Sequence, residues 1–232
     1  MGAILTLSRC FEYCTAIAGY RQRLASFLGV SVATINGFYR EMEGSWWLKE
    51  ITEKKGIRKR HFEMSMLSPL RAPLLYVFCR VAKPRQVVET GVAEGFSSSF
   101  ILAALEKNGK GGLYSIDLPN QPGQELLGKA STGWLIPGPL SGRWHLTLGP
   151  SKEKLPPLLD ELGSIDLFYH DSDHSYENMM FEFHAALPRL ADGGFVVSDD
   201  ITDNRAFEDF CAQTQCPHAK FFKFGVMKYR AP

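Results

Sequence analysis

From Pro69 to Tyr229, short apolar runs alternate with segments of helical period, and this alternation leaves the chain few architectures to choose from. The segment "LRAPLLYVFCRVA" leads to the apolar run "QVVET", a glycine-containing turn, the helical "SSSFILAALEKN" and a second run, "GGLYSID". "RWHLTLG" then precedes "SKEKLPPLLDEL", whose two prolines are expected to leave only a short helix. "IDLFYHD" precedes "YENMMFEFHAALPRL", with Met179, Met180, Phe183, Leu187 and Leu190 at helical spacing, and "GGFVVSDD" follows. Strands separated by helices form a mostly parallel sheet covered on both faces, so the expected fold is doubly wound α/β. The tail "AKFFKFGVMKYR" reads as a strand pair at the sheet edge, turning around Gly225.

Residues 1–67 read as a helical lid or dimerising arm, and residues 68–232 as the ligand-binding domain. With 232 residues, 45% apolar, and a net charge of +1, one α/β domain plus an appendage can bury a substantial core. Neither disorder nor a general basic nucleic-acid binder fits that balance. Arg9, Glu12, Arg21 and Arg23 interrupt the apolar N-terminus, so amphipathic helices are expected there and no membrane span. Cys10, Cys14, Cys79, Cys211 and Cys216 are odd in number and lack zinc spacing, which points to a reducing cytoplasm. The basic run from Glu53 to His61 is expected to be a solvated face, and Trp46 and Trp47 to pack the arm on the body.

Doubly wound sheets bind ligands beyond the carboxyl ends of their strands. Those ends carry "ETGVAEGFSSS", Asp117, "LGPS", "HDSDH" and "SDD". Gly91 and Gly95 let a ligand approach the backbone, and the following helix N-terminus favours a carboxylate. The pattern is G-x-x-x-G, bracketed by Glu89 and Glu94, and carboxylates there oppose a dinucleotide pyrophosphate. They suit S-adenosylmethionine, which carries a sulfonium, an amino group and one carboxylate. Asp117 is placed to accept hydrogen bonds from a ribose.

Asp171, Asp199 and Asp200 close neighbouring strands, and crowded carboxylates call for a cation, with Mg²⁺ or a similar hard ion favoured by oxygen ligands. His174 lies three residues beyond Asp171, within reach of a proton on a metal-held substrate oxygen. Asp173 is expected to cap the next helix, His170 to point into the sheet packing, and His184 to be structural.

"VVETGVAEGFSSSFIL", "LYSIDLP", "IDLFYHDSDHSYENMMFEF" and "LADGGFVVSDDI" together resemble the successive motifs of class I S-adenosylmethionine-dependent methyltransferases. Within that class the chain is most similar to the metal-dependent small-molecule O-methyltransferases, which include the catechol and macrolide-sugar enzymes, over residues 68 to 229. The resemblance implies a seven-stranded, Rossmann-like sheet. It assigns Glu89 and Gly91 to the methionine end of the cofactor, Ser97 to its carboxylate, Asp117 to its ribose and Ser151 to part of the adenine contact. It makes Asp171, Asp199 and Asp200 the metal ligands, Asp171 also a neighbour of the methyl donor, and His174 the base. Where many relatives have an acidic residue, this chain has Pro150.

The expected activity is in-line methyl transfer to a hydroxyl of a sugar, phenol or natural-product scaffold, in the cytoplasm, with assembly through the N-terminal helices as an option. The alternatives are a nicotinamide-dependent oxidoreductase on a similar sheet, a catalytically silent S-adenosylmethionine-binding protein, and metal-independent O-methyl transfer.

Overall fold

The computed structural model describes residues 19–56, 71–119 and 131–231. Among these residues three helices come first, α1 (Tyr20–Leu28), α2 (Val32–Glu43) and α3 (Trp46–Lys55), followed after residues 57–70 by α4 (Arg71–Ala82). The chain then alternates through β1 (Gln86–Thr90), α5 (Phe96–Asn108), β2 (Gly112–Asp117), β3 (Trp144–Leu148) and α6 (Ser151–Leu162). It closes with β4 (Ile165–His170), α7 (Tyr176–Ala186), β5 (Leu190–Ser198), α8 (Ala206–Thr214), β6 (His218–Phe221) and β7 (Phe224–Lys228). The seven strands form one sheet in the order β3-β2-β1-β4-β5-β7-β6. β1 to β5 run parallel; β7 is antiparallel to both β5 and β6.

Successive strand residues point to opposite faces, so each fully apolar strand feeds two cores. Val87, Leu167, Val197 and Val226 pack with α4 and α5, whereas Val88, Phe168, Val196 and Met227 pack with α6, α7 and α8. Helices α1 to α3 belong to the first core, through Leu24, Ile35, Met42, Trp47 and Ile51. Trp47 stacks on Tyr76 at 5.9 Å and meets Phe100 edge-on at 5.0 Å, while Trp46 is exposed. The expected boundary at residues 67 and 68, the first eighteen residues and most of the basic run lie outside the described residues.

Three local expectations are corrected. Pro156 and Pro157 do not shorten α6, which runs its full twelve residues. The prolines and the carbonyl partners they cannot bond, on Lys152 and Glu153, all lie on the exposed face, where water replaces the lost bonds. Leu155 and Leu159 anchor the opposite face. Leu190 does not end α7 but opens β5, because Pro188 diverts the chain through a short 3-10 turn, Leu187–Arg189. The terminal hairpin turns at Phe222 and Lys223 rather than around Gly225, which sits in β7 opposite Lys220 and Ser198. A Cβ there would stand 2.7 Å from the Phe207 ring, so that glycine serves packing, not the turn.

Candidate active site

The strand order reverses beside β1, and the loops after β1, β2, β3 and β4 enclose a cleft of about 540 Å³. Gly91, Asp117, Ser151 and Asp171 line it, as do Ser172 and Asn178. Gly91 has φ 85°, and a Cβ on it would lie 2.1 Å from the Asp171 carbonyl oxygen. The first turn and the end of β4 therefore touch, and only glycine permits it. Gly95 caps α5 with φ 86°, and a Cβ there would strike Ile136 and Gly133.

Asp117 organises the first turn. Its Oδ2 accepts from the amides of Val92 (3.1 Å) and Ala93 (2.7 Å), and its Oδ1 accepts from the Leu118 amide (2.7 Å). Glu94, expected to leave negative charge at the turn, is instead paired with Lys55 of α3, whose ammonium also lies over the Phe96 ring at 4.9 Å. Glu89 does not line the cleft. It is fully buried beneath the turn, with Oε2 accepting from Ser98 (2.8 Å) and Ser115 (2.7 Å) while Oε1 has no hydrogen-bond partner among the described residues. Burial, against the pull of the two hydroxyls, pushes its carboxyl up to about 7.

The buried Tyr169 phenol donates to Asp171 Oδ2 at 2.9 Å. Burial first, and then the charge of Asp199, push the Asp171 carboxyl up to about 8. His174 Nε2 lies 3.7 Å from Asp171 Oδ1 and 3.9 Å from Asp200 Oδ2. Asp200, held at φ 45°, receives the Lys223 ammonium at 3.0 Å, and Asp199 Oδ1 accepts from the Asp200 amide at 2.8 Å. Asp171, Asp199, Asp200 and His174 thus share one rim. Among the described residues, no three histidine, cysteine or acidic side chains stand as a ready metal cage.

Residues 88–201 match a family of methyltransferase domains, and the antiparallel β7 between β5 and β6 sets the sheet apart from the all-parallel 3-2-1-4-5-6 order of dinucleotide-binding enzymes. Over those residues the chain is similar to a methyltransferase domain. An uncharacterized protein, R132, of Acanthamoeba polyphaga mimivirus is 29% identical over 148 residues, which is 60% of this chain and 65% of that protein. The chain therefore spans just under two thirds of that relative. TomG, an O-methyltransferase of tomaymycin synthesis from Streptomyces achromogenes solved with S-adenosylmethionine, shares the fold at a TM-score of 0.56 and 19% identity, over 78% of this chain and 90% of its own. MycE, a methyltransferase of the mycinamycin pathway solved with Mg, S-adenosylhomocysteine and mycinamycin VI, matches at 0.51 and 14% identity, over 68% of this chain and 49% of its own.

Within the matched stretch, Asp173 acts in a cap, though one step removed: it accepts from the Ser175 amide (3.0 Å) and hydroxyl (3.1 Å), and Ser175 caps α7 by accepting from the Asn178 amide. His184 is exposed and meets the Phe210 ring edge-on at 5.6 Å. His170 is fully buried, its Nδ1 2.6 Å from Glu182 Oε2. Glu182, Asn178, Tyr169 and Lys223 were not singled out from the sequence. One signal was available: Glu182 falls on the apolar stripe of Met179, Phe183 and Ala186, where an acid has to find buried partners.

Proposed function

We propose that this protein is an S-adenosylmethionine-dependent O-methyltransferase acting on a hydroxyl of a small molecule, a sugar, phenol or natural-product scaffold. The observation that carries the reading is a cleft in which Gly91 and Asp117 meet Asp171, with His174 Nε2 3.7 Å from that carboxylate. Bound S-adenosylmethionine supplies an electrophilic methyl group on a sulfonium.

Asp117 exchanges part of its hold on the turn amides for the two ribose hydroxyls. Ser97, in the first turn of α5, takes the cofactor carboxylate with the help of the helix N-terminus. Glu89 supports the turn from below by accepting from Ser98 and Ser115, and Ser151 meets the adenine side. Asp171 fixes the acceptor edge of the cleft. His174 takes the proton of the acceptor hydroxyl as its oxygen attacks the methyl carbon; the C–O bond forms, the C–S bond breaks and S-adenosylhomocysteine leaves. Orientation of the attacking oxygen supplies most of the acceleration.

An all-oxygen set of Asp171, Asp199 and Asp200 suits the chemistry of Mg²⁺, and a divalent cation would offset both the burial and, after it, the Asp199 charge that raise the Asp171 carboxyl. Held there, Mg²⁺ would orient and polarise an acceptor hydroxyl. The Lys223 ammonium on Asp200 favours the metal-independent alternative, in which that cation is the protein's own. Helices α1 to α3 border the first turn through Lys55 and are proposed to shape acceptor access and self-association, in a cytoplasmic enzyme. No described helix is long and apolar enough to cross a membrane.

The test is methyl transfer from radiolabelled S-adenosylmethionine to a panel of vicinal diols, phenols and sugars, with Mg²⁺ and with EDTA. Activity lost in EDTA supports the metal; activity kept supports Lys223. His174→Ala is expected to cut the rate roughly 10²-fold to 10⁴-fold while leaving S-adenosylhomocysteine affinity unchanged. An undiminished rate removes His174 as the base.

A further inference from the structure

Behind the cleft lies a carboxylate that the proposed chemistry does not use. Glu182 is fully buried, and each of its oxygens accepts two hydrogen bonds. Oε2 takes Thr90 Oγ1 (2.6 Å) and His170 Nδ1 (2.6 Å); Oε1 takes Ser172 Oγ (2.8 Å) and Asn178 Nδ2 (3.1 Å). Thr90 immediately precedes Gly91, and His170 and Ser172 flank Asp171. Asn178 also donates to the Asp173 carbonyl at 3.0 Å. Ser172 and Asn178 line the cleft themselves, and Gly91 and Asp171 are in direct contact.

Resting on the reading of the cleft as a cofactor site, we infer that Glu182 is the positioning residue of that cleft. One anchored carboxylate on α7 ties the end of β1 to the loop after β4, so the methionine-side turn and the acceptor-side rim keep a fixed separation. Four donors converge on an anion, and a neutral amide matches them only if some of them turn to accept. The side chain introduced by Glu182→Gln would offer one oxygen, and its NH₂ would face either the Asn178 NH₂, which cannot accept, or Thr90 and His170, which would have to turn from donating to accepting. The loop from Asp171 to Asp173 would then relax, and with it the walls on both sides of the ligand.

The test is calorimetric titration with S-adenosylhomocysteine, well below the melting temperature, of the full chain, Glu182→Gln, Thr90→Val and the core control Phe210→Leu in α8, alongside their melting temperatures. Affinity reduced tenfold or more in Glu182→Gln and a few-fold in Thr90→Val, with Phe210→Leu unchanged despite its lower melting temperature, is the expected result. Lower melting temperatures with native affinity in both Glu182→Gln and Thr90→Val would overturn the inference, since a purely structural role moves only stability. If Glu182→Gln does not fold, Thr90→Val decides alone. An unmodified chain that does not bind S-adenosylhomocysteine overturns the cofactor reading instead.

Discussion

At the scale of single residues, the molecule buries acids and meets their demands unequally. Glu182 has four donors, and although burial acts to raise it, the bond and charge of His170 with the Thr90 hydroxyl outweigh that and hold it below the ordinary range. Glu89 has two hydroxyl donors on one oxygen and, among the described residues, none on the other, so burial prevails and its carboxyl rises from 4.5 to about 7. Between those values the folded chain keeps a proton that the unfolded chain has released, so stability falls as pH rises from about 4.5 to about 7 and levels off above. The shift corresponds to about 3 kcal/mol at its limit. Asp171, raised to about 8, acts in the same direction. Glu89→Gln is therefore expected to shrink, without abolishing, the loss of melting temperature between pH 5 and pH 8, measured by differential scanning fluorimetry without ligand. An unchanged pH slope would show that Glu89 titrates normally.

At the scale of elements, the strands and the glycine turn were legible because their signals are local. Apolar runs such as "QVVET" have one fate between two helical layers, and Gly91 and Gly95 announce a turn whatever surrounds them. The prolines of α6 misled because proline reports a lost bond and not whether water can replace it. Leu190 misled because helical spacing carries on past a residue, Pro188, that ends the helix. The pairing of Glu94 with Lys55 joins residues 39 positions apart, and the convergence on Glu182 spans β1, β4 and α7; neither leaves a mark at one place in the sequence. The arm illustrates the same point, since Trp46 and Trp47 are indistinguishable in sequence and opposite in burial. Trp47→Ala should cost about 3–5 kcal/mol, and Trp46→Ala within about 0.5 kcal/mol, by chemical denaturation. Equal small effects would mean that α3 contributes little to the common core.

At the scale of the whole molecule, the parallel strands place five loop ends along one rim, and the antiparallel β7 with its Phe222–Lys223 turn brings Lys223 to that rim beside Asp200. Under the proposed function, cofactor recognition and acceptor chemistry fall on opposite sides of the Gly91–Asp171 contact, on loops carried by one sheet. The central claim, that the cleft takes an S-adenosyl ligand rather than a dinucleotide, is most directly tested by calorimetric titration of the full chain with S-adenosylhomocysteine and, separately, with NAD. The account predicts saturable one-to-one binding of S-adenosylhomocysteine, weakened at least tenfold by Asp117→Ala, and no heat from NAD. Saturable NAD binding, or binding of neither compound, would contradict it.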